Sequence, residues 1–379
     1  MPLELTPLEQ LPPAVERAVG PKAPAPLRLM AARGLAPMPP GDLAVALYQL
    51  SFSEDEAVKS AAFKTAIELP ERIMGGALAE PLDRRVLDFF ARRVFQKTAL
   101  LERLLLNKAV DDETFRHLAT LVDEAGLEMI AKNEERLLRH PSIIAALYLN
   151  PKTRMSTAQR ALELAVRNNV RVEGIAAFEE AAKAIEESGT PSIPPEEDAK
   201  FVAAAAVGVD ASAGLQLIAV DEAEALAQAE ADAAAAEAAA ESPDEEKKVK
   251  ISELSPAGKI RLATLGNSFA RAVLIRDKNK QVAMAAIRSP GVNDMEALRY
   301  AGNRGLDDDI IRFIANSRQW VRLYGIKVAL VNNPKCPLPI SMRFLPHLSV
   351  KDLKALSRSK GIPSALGTAA KQMLTRRNA

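Results

Sequence analysis

The chain of 379 residues has one cysteine, three histidines and one tryptophan, and only 4% of it is aromatic. A single cysteine, Cys336, excludes an internal disulfide framework and fits a reducing compartment. His117, His140 and His347 are scattered, and no His-x-x-x-His or Cys-x-x-Cys spacing exists, so no metal site is legible. There is no glycine-rich phosphate loop, since Gly75-Gly76 is an isolated pair in a helical context, and no serine sits in a nucleophile elbow. No long hydrophobic run is free of charge either. The most apolar window, 201–220, carries Asp210 near its centre, at a cost of roughly 3 kcal/mol on insertion scales. The N-terminus, MPLELTPLEQLPP, lacks a basic region followed by an apolar one, so no secretory signal is expected. These absences leave catalysis, cofactors, metals and membrane spanning without a basis. The expectation is a cytoplasmic, non-enzymatic protein.

What the chain does contain is a diverged copy of itself. Ala146-Leu-Tyr-Leu-Asn150-Pro151-Lys152 returns as Ala329-Leu-Val-Asn-Asn333-Pro334-Lys335. Ile130-Ala131 returns as Ile314-Ala315, and Val110-Asp-Asp112 as Val292-Asn-Asp294. The offset drifts by only a residue or two, and such register over several elements is the mark of helical repeat arrays.

A net charge of +1 conceals a strong asymmetry. Residues 1–172 carry 23 Lys/Arg and 22 Asp/Glu, residues 173–246 carry 2 and 19, and residues 247–379 carry 25 and 8. A near-neutral arm, an acidic middle and a basic arm follow one another. Asymmetry of this size concerns partners and solvation rather than fold.

Residues 1–41 are rich in proline and are expected to form a largely disordered arm with one short helix near Leu27–Arg33. From Asp42 the apolar period is helical. Ser53 with Glu56 and Ser156 with Gln159 read as capping boxes, and Ser255-Pro256 as an N-cap followed by proline. Asp294, Asp307 and Ser349 each precede an apolar-periodic run, and Asn150-Pro151, Pro290-Gly291 and Asn333-Pro334 mark turns. Strand alternation does not persist anywhere. The stretch Glu187–Asp198 reads as a disordered linker, and the Ala/Glu-rich stretch Asp221–Glu241, which has no broad apolar stripe, as a frayed, solvated helix.

At these residues the chain resembles the α-solenoid families, in particular HEAT-like repeats and leucine-rich-repeat-variant arrays. The resemblance implies an all-α fold of two related helical-repeat arms joined by an acidic linker. The corresponding boundaries are 1–41, 42–184 (first repeat domain), 185–248 (linker) and 249–379 (basic second repeat domain). No activity transfers with the resemblance, residue by residue.

Several residues have two readings. Asp307-Asp308-Asp309 suits a helix N-terminus better than a metal site. Cys336 reads as a structural thiol, with Lys335 nearby keeping a reactive one open. Trp320 reads as packing between repeats or, less readily, as a surface anchor. The candidate partner-binding residues are Arg318, Arg322, Lys327, Lys335, Arg343, Lys351, Lys354 and Arg358 in the basic arm, with Arg318 and Arg322 placed on one helical face. The expected function is an interaction scaffold that binds a partner protein through this arm. The alternative is nucleic-acid binding by non-specific phosphate contacts.

Overall fold

Helix caps and prolines set where the elements begin, and every regular element that follows from them is helical. A computed structural model of the protein describes residues 7–20, 22–188, 195–208, 250–359 and 361–378. Among these residues there is no strand. Two compact units divide the chain, Met1–Gly174 and Ile175–Ala379.

The first unit comprises α1 (Pro13–Val19), α2 (Ala25–Ala32), α3 (Pro40–Leu50), α4 (Glu56–Glu68), α5 (Glu71–Ala79) and α6 (Arg84–Val94). It continues through α7 (Thr98–Leu106), α8 (Asp112–Leu121), α9 (Glu124–Ala131), α10 (Glu134–Arg139), α11 (Ser142–Leu149) and α12 (Met155–Arg167). The helices pack on their next-but-one neighbours. The series α1, α3, α5, α7, α9 forms one row and α2, α4, α6, α8, α11 the other.

The second unit comprises α13 (Phe178–Ser188), α14 (Pro195–Gly208), α15 (Pro256–Leu265), α16 (Ser268–Leu274), α17 (Lys280–Arg288) and α18 (Asp294–Gly302). Then come α19 (Asp308–Asn316), a 3-10 turn (Trp320–Arg322), α20 (Tyr324–Asn332), α21 (Leu338–Phe344), α22 (Val350–Arg358) and α23 (Ser364–Asn378). Here α13, α15, α17 and α19 pack in succession, as do α18 with α20 and α20 with α21. Helices this short are marginal alone in water, so buried aliphatic faces hold them. Ile310, Ile311, Ile314 and Ala315 are such a face on α19.

The element order repeats in step with the sequence copy. The series α8, α9, α10, α11, α12 corresponds to α18, α19, the 3-10 turn, α20, α21. Asn150 and Asn333 occupy like places: each ends its helix in extended backbone (ψ 118° and 119°), and both are buried. Each side-chain oxygen accepts the N–H two residues on, from Lys152 (2.9 Å) and Lys335 (3.0 Å). Each side-chain nitrogen donates to a carbonyl in the last turn of an earlier helix: Ala119 for Asn150 and Ala301 for Asn333, both at 2.8 Å. Asn107, ending α7, repeats the arrangement on the Leu78 carbonyl of α5 (2.7 Å) and accepts from Ala109 N (2.9 Å). The last carbonyls of a helix have no partner within it, and these asparagines supply one. Three residues after each of these asparagines, Val110, Thr153 and Cys336 turn inward and are buried.

Several sequence expectations are corrected. Within the arm expected over 1–41, the chain is helical at Pro13–Val19, at Ala25–Ala32 and from Pro40 on, because its prolines stand at helix starts. Pro12-Pro13, Pro24 with Pro26, and Pro39-Pro40 are the N-caps and first positions of α1, α2 and α3, where a missing N–H costs nothing. Val15, Ala31 and Ala32 are fully buried there. The unit boundary falls at Gly174, not at 184, because α13 packs on α15 and α17. Within the expected linker, α14 packs on α15 and α16. Phe201 is buried beneath Arg261 (4.6 Å to the ring centroid), and the Glu197 carboxylate accepts Ser255 N (2.8 Å). The rest of the expected linker, 189–194 and 209–248, lies outside the described residues. Asp55 rather than Ser53 caps α4, Arg154 precedes α12 in place of a Ser156 box, and Asn293 rather than Asp294 caps α18. Ser255, Asp307 and Ser349 cap as expected.

Candidate interaction surface

The basic residues singled out in the second unit lie on the 3-10 turn, α20, α21 and α22 and, for Arg318 and Lys335, in turns between elements, and local structure decides which of them face solvent. Trp320 sits in the 3-10 turn and is buried edge-on against Phe313, with ring centroids 6.1 Å apart. Its core reading is thereby chosen. Burying Trp320 leaves Arg318 and Arg322 exposed on either side of it. They do not share an α-helical face, because α19 ends at Asn316 and the chain is in a turn at Arg318.

On α20, Ile326, Leu330 and Val331 turn inward and Lys327 is half-buried. Lys335 stands apart from the rest. Its Nζ donates to the Leu306 carbonyl (2.5 Å) and lies 3.8 Å from Asp308, so it fastens the corner after α20. On α21, Ser341 and Phe344 are buried, while Met342 and Arg343 face out, with the Arg343 guanidinium 5.2 Å from the Phe344 ring centroid. On α22, Leu353 and Leu356 are buried, and Lys351, Lys354 and Arg358 follow one another at spacings of three and four. That spacing puts the three cations on one stripe opposite the buried leucines.

Tyr324 ties two of these elements together. Its hydroxyl accepts Ser349 N (2.8 Å) and donates to the Asp352 carboxylate, joining the start of α20 to the first turn of α22. Hydrogen bonds from the Ser349 hydroxyl and then from Tyr324 hold the Asp352 carboxyl below the usual range. Segments that carry Arg322 and Lys351 are so linked.

Among the described residues, no carboxylate lies within ion-pair distance of Arg318, Arg322, Lys327, Arg343, Lys351, Lys354 or Arg358. The same stretch exposes Leu323, Tyr324, Leu338, Met342 and Val350. Sequence reasoning singled out Tyr324 beside the cations and missed Leu323, Leu338, Met342 and Val350. Each stands in or beside an apolar-periodic run, and only the stacking of neighbours shows which members stay outside.

Chemistry-bearing groups elsewhere are absorbed into structure. The Asp307 carboxylate accepts Asp309 N (2.9 Å) at the start of α19, and Asp309 pairs with Lys280 and, at 3.8 Å, with Arg312. Cys336 is buried, and that burial pushes its thiol pKa up, away from reactivity. Burial, and then the Arg92 guanidinium 3.1 Å away, push the His117 pKa down. Among the described residues no three His, Cys, Asp or Glu side chains are grouped to hold a metal ion, and no helix is long and apolar enough to cross a membrane. Comparison of the chain with protein-family models, with curated proteins and with solved structures finds no match.

Proposed function

We propose that the protein is a non-enzymatic, cytoplasmic interaction scaffold built of two related HEAT-like helical-repeat arms, whose second arm binds an acidic surface of a partner protein. The observation that carries this reading is the stretch from Arg318 to Arg358, where seven cations lack a carboxylate partner among the described residues and alternate with exposed Leu323, Leu338, Met342 and Val350. Unpaired arginine and lysine confer attraction and orientation, and aliphatic side chains between them add desolvation on contact. The next-but-one packing of short helices and the recurrent asparagine corner support the repeat-array reading.

Nucleic-acid binding is the second reading, since the same cations suit phosphates. The apolar groups favour protein. Single-stranded nucleic acid is held by stacking on several exposed aromatics, and with Trp320 and Phe344 buried this stretch offers only Tyr324 among its Trp, Tyr and Phe residues.

The experiment is a titration of the whole chain with a peptide of glutamate and leucine at helical spacing and, separately, with a DNA duplex, at stepped salt. The protein reading expects the peptide to bind. It expects Arg318→Ser/Arg322→Ser/Arg343→Ser and Leu338→Ser/Met342→Ser each to weaken that binding. Binding of the duplex alone, with a slope falling by about one for each phosphate contact removed, replaces this reading with the second.

A further inference from the structure

The two copies in the chain each carry an open groove at the same place. In the first unit it lies between α7, which ends at the corner residue Asn107, and α9, with a volume of about 500 Å3. In the second unit it lies between α17, whose C-cap is Ser289, and α19, with a volume of about 360 Å3. Recurrence at matching positions makes the groove a feature of the architecture rather than an accident of one side chain. Both volumes fall in the range of about 300–1,000 Å3 that ligand sites occupy.

Their chemistry has diverged. The second groove is lined by Lys183, Lys280, Arg288 and Arg312 against Glu180 and Asp309. Its carboxylates are engaged, Asp309 with Lys280 and Glu180 with Arg288 at 3.3 Å. The first groove has an apolar lining of Leu105, Leu106, Phe115 and Met129. Leu106 is 76% exposed, the most exposed of the large hydrophobic residues in the described chain. Glu102, Glu134 and Glu135 also line this groove, against a single Lys132. Glu135 has Arg139 at 3.7 Å, while Glu102 and Glu134 have no cation at ion-pair distance among the described residues. Asn133 completes the lining. Its side-chain oxygen accepts Arg136 N (3.2 Å), which leaves its nitrogen as a donor for a carbonyl.

An apolar lining, unpaired carboxylates and one amide donor describe the complement of a basic peptide with an apolar anchor. We infer that the α7–α9 groove is a peptide-binding site for a basic segment of a partner protein. One leucine- or phenylalanine-sized side chain seats on Leu106 and Met129, above the buried Leu105 and Phe115. Flanking lysine or arginine pairs with Glu102 and Glu134, and a backbone carbonyl accepts from Asn133. Acidic segments are repelled by the three glutamates, so the site is selective by charge. It belongs to the first unit and does not depend on the function of the second unit's basic surface.

The test is fluorescence anisotropy of a short fluorescein-labelled peptide of lysine and leucine at helical spacing, titrated with the full chain at low and at high salt. Two variants accompany it, Leu106→Ser and Glu102→Lys/Glu134→Lys. All three positions are exposed, and circular dichroism melts check that the variants stay folded. The peptide is expected to bind the native chain, more weakly at high salt, and each variant is expected to lose about tenfold in affinity, as removal of an anchoring contact does. Absence of binding overturns the inference. Binding that is the same in the native chain and both variants overturns it too, because the peptide then sits on another acidic part of the chain.

Discussion

The Asn150 side-chain nitrogen donates to the Ala119 carbonyl at 2.8 Å, so the end of α11 satisfies an orphan acceptor at the end of α8. Asn333 does the same for Ala301 and also reaches the Asn303 carbonyl at 3.2 Å. A buried amide with this role cannot be shortened without stranding the carbonyl it serves. Asn150→Ala and Asn333→Ala are each expected to destabilise the protein by about 1–3 kcal/mol in urea unfolding. The Asp variants are expected to be worse, because a carboxylate would face carbonyl oxygens. Native-like midpoints in the alanine variants would show that the corners hold without these bonds.

Arg136 fastens a corner from the other side. It is buried over the Phe115 ring (4.3 Å) and donates to the carbonyls of Val110 (2.7 Å), Lys108 (3.2 Å) and Asn107 (3.3 Å) and to Asp112 (2.6 Å). Arg136→Leu leaves the Val110 and Lys108 carbonyls unpaired and Asp112 held by Arg139 alone, and is expected to cost about 1–3 kcal/mol for each stranded carbonyl.

Asp112 makes part of this stability dependent on pH. Hydrogen bonds from Arg139 and then Arg136 hold its carboxyl below the usual range. A group whose folded pKa is depressed contributes fully above its unfolded value, roughly pH 4, and loses that contribution as pH falls through the folded value. Urea midpoints of the native chain are therefore expected to fall below about pH 4, and less steeply in Asp112→Asn. Equal slopes would remove Asp112 from the acid response.

In the second unit, Arg271 forms a two-pronged pair with Glu296 (2.7 and 2.9 Å), and both are buried. Glu296→Leu alone leaves a buried guanidinium and is expected to cost about 3–5 kcal/mol. Arg271→Met/Glu296→Leu is expected to recover most of that loss, since desolvating the pair offsets much of its attraction. A double variant as unstable as the single one would mean that Arg271 acts mainly through its bond to the Gly266 carbonyl (2.6 Å).

Cys336 is expected to react slowly with Ellman's reagent in the folded protein and fully once the chain is unfolded in urea, because its thiol is buried and its pKa raised. Rapid reaction under native conditions would reopen a functional thiol.

The helical class was readable without coordinates. Ser255, Asp307 and Ser349 cap helices as local chemistry requires, because a side-chain oxygen two or three residues from a free N–H acts within its own segment. Prolines misled for an equally local reason. The same residue forbids a helix interior and favours a helix start, and the apolar partners that distinguish the two, such as those burying Val15 and Ala32, lie outside the segment. The acidic run at 196–198 likewise looked solvated until Glu197 met Ser255, 58 residues on.

The basic residues were visible as a group, but their roles were not. Lys335 and Arg358 are alike in sequence, yet Lys335 is spent on the Leu306 carbonyl and Arg358 is exposed. The sequence by itself determined helix, copy and charge, because propensity, period and ionisation are properties of residues and their near neighbours. Tertiary structure alone decided which asparagines clamp an earlier helix, which leucines stay outside and where the grooves open. Those depend on which surfaces meet, and contacts between residues some 30 positions apart follow from the packing of whole helices rather than from any single side chain.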